Sequence, residues 1–171
     1  MWGPLKGYQW PTARSYEYIM GNNEPAKVMT EFCSWFTPSS VFYDVGSNIG
    51  YYSFIANTII FTGKIYAFEP TNFNNDLFKQ LLLLNKQLMG KNNIELLEFA
   101  ISDFEKEVEF SNNKIFAEGN TYVAGTENFK GEKIKVKCYS IDKLIEMNYA
   151  VPDIIKIDSN GFFIRKFFCN P

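Results

Sequence analysis

Val41-Phe42-Tyr43-Asp44-Val45-Gly46-Ser47-Asn48-Ile49-Gly50 is the stretch on which the fold turns. Its first half, residues 41–45, is short and nearly all apolar, as a strand buried on both faces should be. Its second half is a tight turn, and residues 51–60 read as a helix opened by it. Gly46 and Gly50 let the backbone turn sharply and approach a ligand with no Cβ in the way. Asn48 stands where a dinucleotide fingerprint wants a glycine; asparagine is the next most tolerant residue of left-handed backbone, so the turn can survive. The loop is neither G-x-G-x-x-G nor a P-loop, since no Gly-Lys-Ser/Thr follows it.

Working outward, residues 64–69 (KIYAFE) form a second buried strand. Residues 74–89 form a helix, with Leu77, Leu81, Leu84 and Leu88 at helical spacing. Residues 94–101 are a third strand, followed by two β-rich stretches at 107–110 and 133–139. Ser140 suits the N-cap of a short helix over 141–147, and residues 153–158 (DIIKID) are a fourth buried strand. Upstream, a helix over 24–36 has Pro25 in its first turn, where proline is tolerated. The order βαβαβ, an excursion and then β is the doubly wound α/β pattern. In that pattern the four strands order 3-2-1-4 in a Rossmann-like sheet. Ligands of such sheets lie beyond the carboxyl ends of the strands, where the order reverses. The acids at those ends are Asp44, Glu69, Asp103 and Asp158.

The chain has 171 residues, 17 basic against 19 acidic side chains for a formal charge of −2, and no histidine. Ser-His-Asp and Cys-His devices and His-ligated zinc or non-haem iron sites are therefore excluded. The charge balance gives no broadly basic face for nucleic acid. Cys33, Cys138 and Cys169 lie far apart and form no Cys-x-x-Cys pair. Odd, scattered thiols and an opening without an apolar signal core predict a cytoplasmic protein. No apolar run approaches the roughly 18 residues of a membrane span. The aromatic share of 18% reads as a bulky core.

Asp44, two residues before the first glycine, would repel a pyrophosphate but suits a ligand carrying an ammonium or sulfonium. Glu69, at the end of the second strand, is placed to accept from vicinal ribose hydroxyls. Acid, glycine loop and ribose acid together describe a site for S-adenosylmethionine.

VFYDVGSNIGYYS, KIYAFEP, NIELLEFAISD, KVKCYSIDKLIE and PDIIKID, in that order, resemble the FkbM-type class I methyltransferases. The resemblance runs from about Gly3 to Gly161, and the D-V-G-S-N-I-G form is more specific to that family than a generic glycine loop. It implies a lead-in over 1–40, a cofactor-binding domain over 41–161 and a divergent tail over 162–171. It implies that Asp44, Gly46, Ser47, Asn48 and Gly50 line the methionine end of the cofactor and that Glu69 takes the ribose hydroxyls. Ser102 and Asp103 would lie near the adenine, with Asp103 accepting from its amino group. Asp158 would face the methyl group and the acceptor, and Glu24 would reach the same mouth from the lead-in.

Simpler readings stand beside these. Gly46 and Gly50 alone would mean only a turn, and Ser102-Asp103 could merely start a loop. Tyr51 and Tyr52 are assigned to helix packing, and the lysines of 130–137 to a solvated strand face. The activity expected is S-adenosylmethionine-dependent O-methylation of a small molecule or glycan, oxygen being implied by the resemblance alone. With no histidine, a general base would come from Asp158, Glu24, a lysine or a tyrosine, or be dispensed with. Only 13 residues follow Asp158 where the family continues with further strands. A truncated, non-catalytic cofactor-binding remnant is therefore the alternative expectation. A nicotinamide-dependent oxidoreductase is disfavoured by Asp44 and Asn48.

Overall fold

A computed structural model of the chain describes residues 5–10, 26–91, 93–112 and 132–158. Glu24 and the tail over 162–171 lie outside the described residues. The helices are α1 (Ala26–Ser34), α2 (Tyr51–Asn57), α3 (Asn72–Leu84) and α4 (Ile141–Glu146). The strands are β1 (Val41–Val45), β2 (Lys64–Phe68), β3 (Ile94–Leu97), β4 (Ala100–Ile101), β5 (Lys106–Asn112), β6 (Glu132–Tyr139) and β7 (Ile154–Ile157).

β3-β2-β1-β7 is the order of the main sheet, all parallel, and matches the 3-2-1-4 order expected. Alternate residues of β1 feed two cores, as the two-residue strand period requires. Phe42 joins Ile65, Ala67, Ile94 and Ile154 under α1, α2 and α3, where Phe32, Phe54, Phe78 and Leu81 are fully buried. Tyr43 and Val45 join Tyr66, Phe68 and Ile155 on the opposite face, which Leu144 of α4 covers. Each fully buried side chain of this size contributes about 1.5–3 kcal/mol. Opposite the carboxyl ends, Asp153 closes the amino end of the β1–β7 pair: its backbone N–H donates to Val41 O at 2.9 Å, and its Oδ2 accepts from Val41 N at 2.7 Å. Ser140 caps α4 as expected, its Oγ accepting from Lys143 N at 3.1 Å.

The structure revises three local expectations. The run 94–101 is not one strand. It breaks at Glu98-Phe99, where Phe99 turns its ring onto Phe68 and Tyr139. Ala100–Ile101 then leaves the main sheet to pair with β6, in a second sheet of order β4-β6-β5. The long helix stops at Leu84 rather than at 89, and the leucine row meets the core only at Leu77 and Leu81. Leu84 and Leu88 are exposed, while Asn75, Phe78 and Leu81 are buried. Asn75 is held inside by donating to Glu69 O at 3.0 Å. Asn85, after the helix, accepts from Gln9 N at 2.7 Å and donates to Gln9 O at 2.9 Å. Polar side chains with tertiary partners thus share the buried face with Phe78 and Leu81. α1, described over Ala26–Ser34, ends two residues before the expected 36. The lysines of β6 behave as read: Lys133 pairs with Glu109 across the β5–β6 ladder at 2.9 Å, both side chains about half exposed.

Candidate active site

At the carboxyl end of β1 the chain turns through Gly46–Gly50 into α2. Gly46 (φ 72°), Asn48 (φ 51°) and Gly50 (φ 89°) are all left-handed, so Asn48 takes the backbone conformation for which it was singled out. The loop is pinned to the neighbouring strand. Gly46 N and Ser47 N both donate to Phe68 O at 3.0 Å, Gly50 N donates to Ser47 O at 2.8 Å, and Asn48 N donates to Glu69 Oε2 at 3.0 Å. Space for a Cβ is lacking at both glycines, but the chain itself fills it. At Gly46 the obstacle is the carbonyl of Asp158, and at Gly50 the ring of Phe78. The glycines therefore serve the approach of β7 and α3 to the loop, where the sequence suggested the approach of a ligand. Gly46→Ala should cost more than about 2 kcal/mol in a urea unfolding titration, since it combines left-handed strain with a backbone collision.

Glu69, immediately after β2, is almost wholly buried. Its Oε1 accepts from Thr71 N (3.0 Å), Thr71 Oγ1 (2.6 Å) and Asn74 Nδ2 (3.2 Å), while among the described residues Oε2 accepts from Asn48 N alone. Burial pushes its carboxyl above the usual range, and these four donors pull it back in part. Oε2 keeps acceptor capacity for a ligand hydroxyl.

Asp44 is also fully buried. Ser53 Oγ of α2 donates to its Oδ2 at 2.6 Å, and the ammonium of Lys156 lies 3.0 Å from its Oδ1. Asp44 and Lys156 are register partners across β1 and β7, so their side chains share the face under α2. Lys156 also donates to Gly46 O at 3.3 Å and lies 3.5 Å from Asp158 Oδ2 and 4.7 Å from the Tyr52 ring centroid. Sequence reasoning missed this lysine as a site residue. Its signal was present: a single cation inside an apolar strand needs a buried counter-charge. Tyr52, assigned to packing, is also a neighbour of the cluster.

Asp158 stands where the strand-end argument put it, with its N–H donating to Val45 O at 3.0 Å and its carboxylate half exposed. Asp44, Gly46, Ser47, Asn48, Gly50, Glu69 and Asp158 thus gather at the carboxyl ends of β1, β2 and β7. Ser102 and Asp103 follow β4, with Ser102 N donating to Tyr139 O at 3.0 Å and Ser102 Oγ facing Asp103 Oδ1 at 3.3 Å in an exposed turn. The residues present fit S-adenosylmethionine: Ser47 Oγ in the loop is buried with no hydrogen-bond partner among the described residues, and Glu69 Oε2 has room for a donor.

Residues 44–162, from the first acid of this cluster to just past the last, match the model of the methyltransferase FkbM domain. The chain belongs to the FkbM methyltransferase family. It is 30% identical over 122 residues to the hexuronic acid methyltransferase AglP of Haloferax volcanii, a span of 71% of this chain and 46% of that protein. The chain thus spans less than half the length of this curated relative. Among solved structures, it is similar to the FkbM methyltransferase of Methylobacillus flagellatus KT, with 15% identity and a TM-score of 0.49, over 90% of this chain and 39% of that one. It is also similar to a precorrin-6y C5,15-methyltransferase from Geobacter metallireducens GS-15, with 22% identity and a TM-score of 0.36, over 42% of this chain and 37% of the other. Within the FkbM domain, the parallel sheet of order β3-β2-β1-β7 is a Rossmann-like class I methyltransferase sheet. Among the described residues no helix is long and apolar enough to cross a membrane.

Proposed function

We propose that this FkbM domain binds S-adenosylmethionine at the carboxyl ends of β1 and β2 and directs methylation of an oxygen on a glycan or small molecule. The observation that carries the reading is the left-handed Gly46–Gly50 loop tied through Asn48 N to the buried Glu69. Asp44, Gly46, Ser47, Asn48 and Gly50 would surround the methionine end, Glu69 would take a ribose hydroxyl through Oε2, and Ser102 and Asp103 would border the adenine. When bound, the cofactor supplies an electrophilic methyl group on a sulfonium. The chain supplies alignment, which accounts for much of the rate in a displacement of this kind. The exposed carboxylate of Asp158 can take the proton of a hydroxyl acceptor. Glu24 remains a second candidate base, on the resemblance alone. A sugar is favoured as acceptor class by the hexuronic acid methyltransferase among the relatives.

S-adenosylhomocysteine should raise the unfolding temperature of the folded protein, and NAD should not compete with it. A folded protein that ignores S-adenosylhomocysteine in both thermal shift and calorimetry would exclude this reading. The response should also depend on pH. Because burial raises the Glu69 carboxyl above its ordinary value, the folded protein holds that proton at a higher pH than the unfolded chain does. Glu69 therefore favours folding most below the ordinary carboxylate range, and this contribution is lost as pH rises through its folded-state value. A ribose hydroxyl donates more strongly to the ionised acceptor, so ligand affinity runs the other way and weakens as pH falls through the same value. Thermal shifts measured with and without ligand between about pH 4.5 and 7.5 separate the two signs.

A further inference from the structure

Lys156 brings a positive charge to a place the family of acids would otherwise hold alone. Its side chain is almost entirely buried, as is that of Asp44, whereas the side chain of Asp158 is half exposed. Among the described residues, the two carboxylates within 4 Å of this ammonium leave the trio a single negative charge. Asp44 is already matched by Lys156 at 3.0 Å and by Ser53 at 2.6 Å. The surplus therefore resides on Asp158, at the mouth, at the looser distance of 3.5 Å from the same ammonium. Any cationic group that settles at the loop meets this balance, and not a bare pair of acids.

We propose that Lys156 is a positioning residue that sets the charge of the crevice, and so limits how strongly its acids prefer a positively charged cofactor to the neutral one left after transfer. The inference rests on the reading of the site as one for S-adenosylmethionine. Its physical sense lies in differential binding. An environment with two uncompensated carboxylates would hold the full sulfonium charge of the ground state best, and that charge is dispersing in the transition state. A lysine fixed between the acids removes most of this penalty while keeping both carboxylates in place.

The two ligands that read this charge are S-adenosylmethionine and S-adenosylhomocysteine, which differ by the methyl group and its positive charge. Calorimetry at pH 7.5 and low salt gives a Kd for each, and their ratio is the readout. Lys156→Met should raise the preference for S-adenosylmethionine roughly threefold or more, the scale of one unit charge acting through a partly solvated site. Asp44→Asn, which leaves Lys156 uncompensated by Asp44, should lower it by a similar factor, and Lys156→Arg should leave it near wild type. A purely structural ion pair would weaken both ligands alike in both variants. Ratios that stay fixed, or that move the same way in Lys156→Met and Asp44→Asn, overturn the proposal. If Lys156→Met does not fold, Asp44→Asn and Asp158→Asn carry the test, since each should lower the preference, and an unchanged or raised ratio overturns it. Failure of folded wild-type protein to bind either ligand would instead remove the cofactor reading itself, and this inference with it.

Discussion

Glu69→Ala is expected to abolish measurable binding of S-adenosylhomocysteine and to lower stability by about 2–4 kcal/mol. Four donors converge on this carboxylate, two of them backbone N–H groups, and alanine leaves all four without their acceptor. An unmet buried donor costs about 1–3 kcal/mol, and water entering the space left behind recovers part of the sum. Removing a buried anion also relieves its desolvation, which is why the net figure stays below the simple total. The effect on binding comes by two routes. The Oε2 acceptor disappears, and Asn48 N loses the contact that fixes the loop against β2. Glu69→Gln should fall between, because its amide can satisfy some donors and opposes others. Urea unfolding and calorimetry on the two variants check both halves. Alanine within about 0.5 kcal/mol of wild type, with binding retained, would mean that the carboxylate holds nothing together.

The second large effect concerns the pair across β1 and β7. Lys156→Met should lower stability by about 3–5 kcal/mol, the cost of leaving a buried carboxylate without its partner. That is a large part of the marginal stability of a domain. Asp44→Asn should cost less, since Asp158 still faces the ammonium at 3.5 Å and Ser53 can still donate to an amide oxygen. The Asp44→Asn, Lys156→Met double variant should be more stable than Lys156→Met alone, because no buried charge is then left over. A double-mutant cycle from urea midpoints measures the coupling. Additive losses would show that the two side chains do not sense each other, whatever their separation.

Much of the fold was legible because its signals are local. The apolar run of β1, the glycine loop and the helix after it lie within 17 residues, from Val41 to Asn57, and the backbone of Asn48 obeys the preference of its own side chain. Glu69 was legible for the same reason, as an acid one residue past an apolar strand. The misreadings arise where distant parts of the chain decide the outcome. Asn75 and Asn85 hold the buried side of α3 and its end through partners at Glu69 and Gln9, so the leucine row marked the buried face at Leu77 and Leu81 but not at Leu84 and Leu88. The break between β3 and β4 is set by the ring of Phe99 and by pairing with Cys138 and Tyr139, nearly forty residues away. Lys156 looked like one more residue of a strand because its partner Asp44 is 112 positions earlier and meets it only through the β1–β7 register. Asp103 lies in an exposed turn beside Ser102, the one side chain among the described residues that bonds its carboxylate, so chemistry carried over from a family has less physical support there than at Glu69.

The Gly46–Gly50 turn also decides what the crevice turns away. Glycine loops that bind nucleotides by their phosphates do so with backbone N–H groups left pointing outward. Here four of the five amides in the turn, those of Gly46, Ser47, Asn48 and Gly50, already donate to Phe68, Glu69 and Ser47. A triphosphate or pyrophosphate arriving at this mouth would find those hydrogens spent and the carboxylate of Asp158 facing it. On the proposed reading, the loop selects against phosphate tails by the exhaustion of its donors, before any acceptor is present.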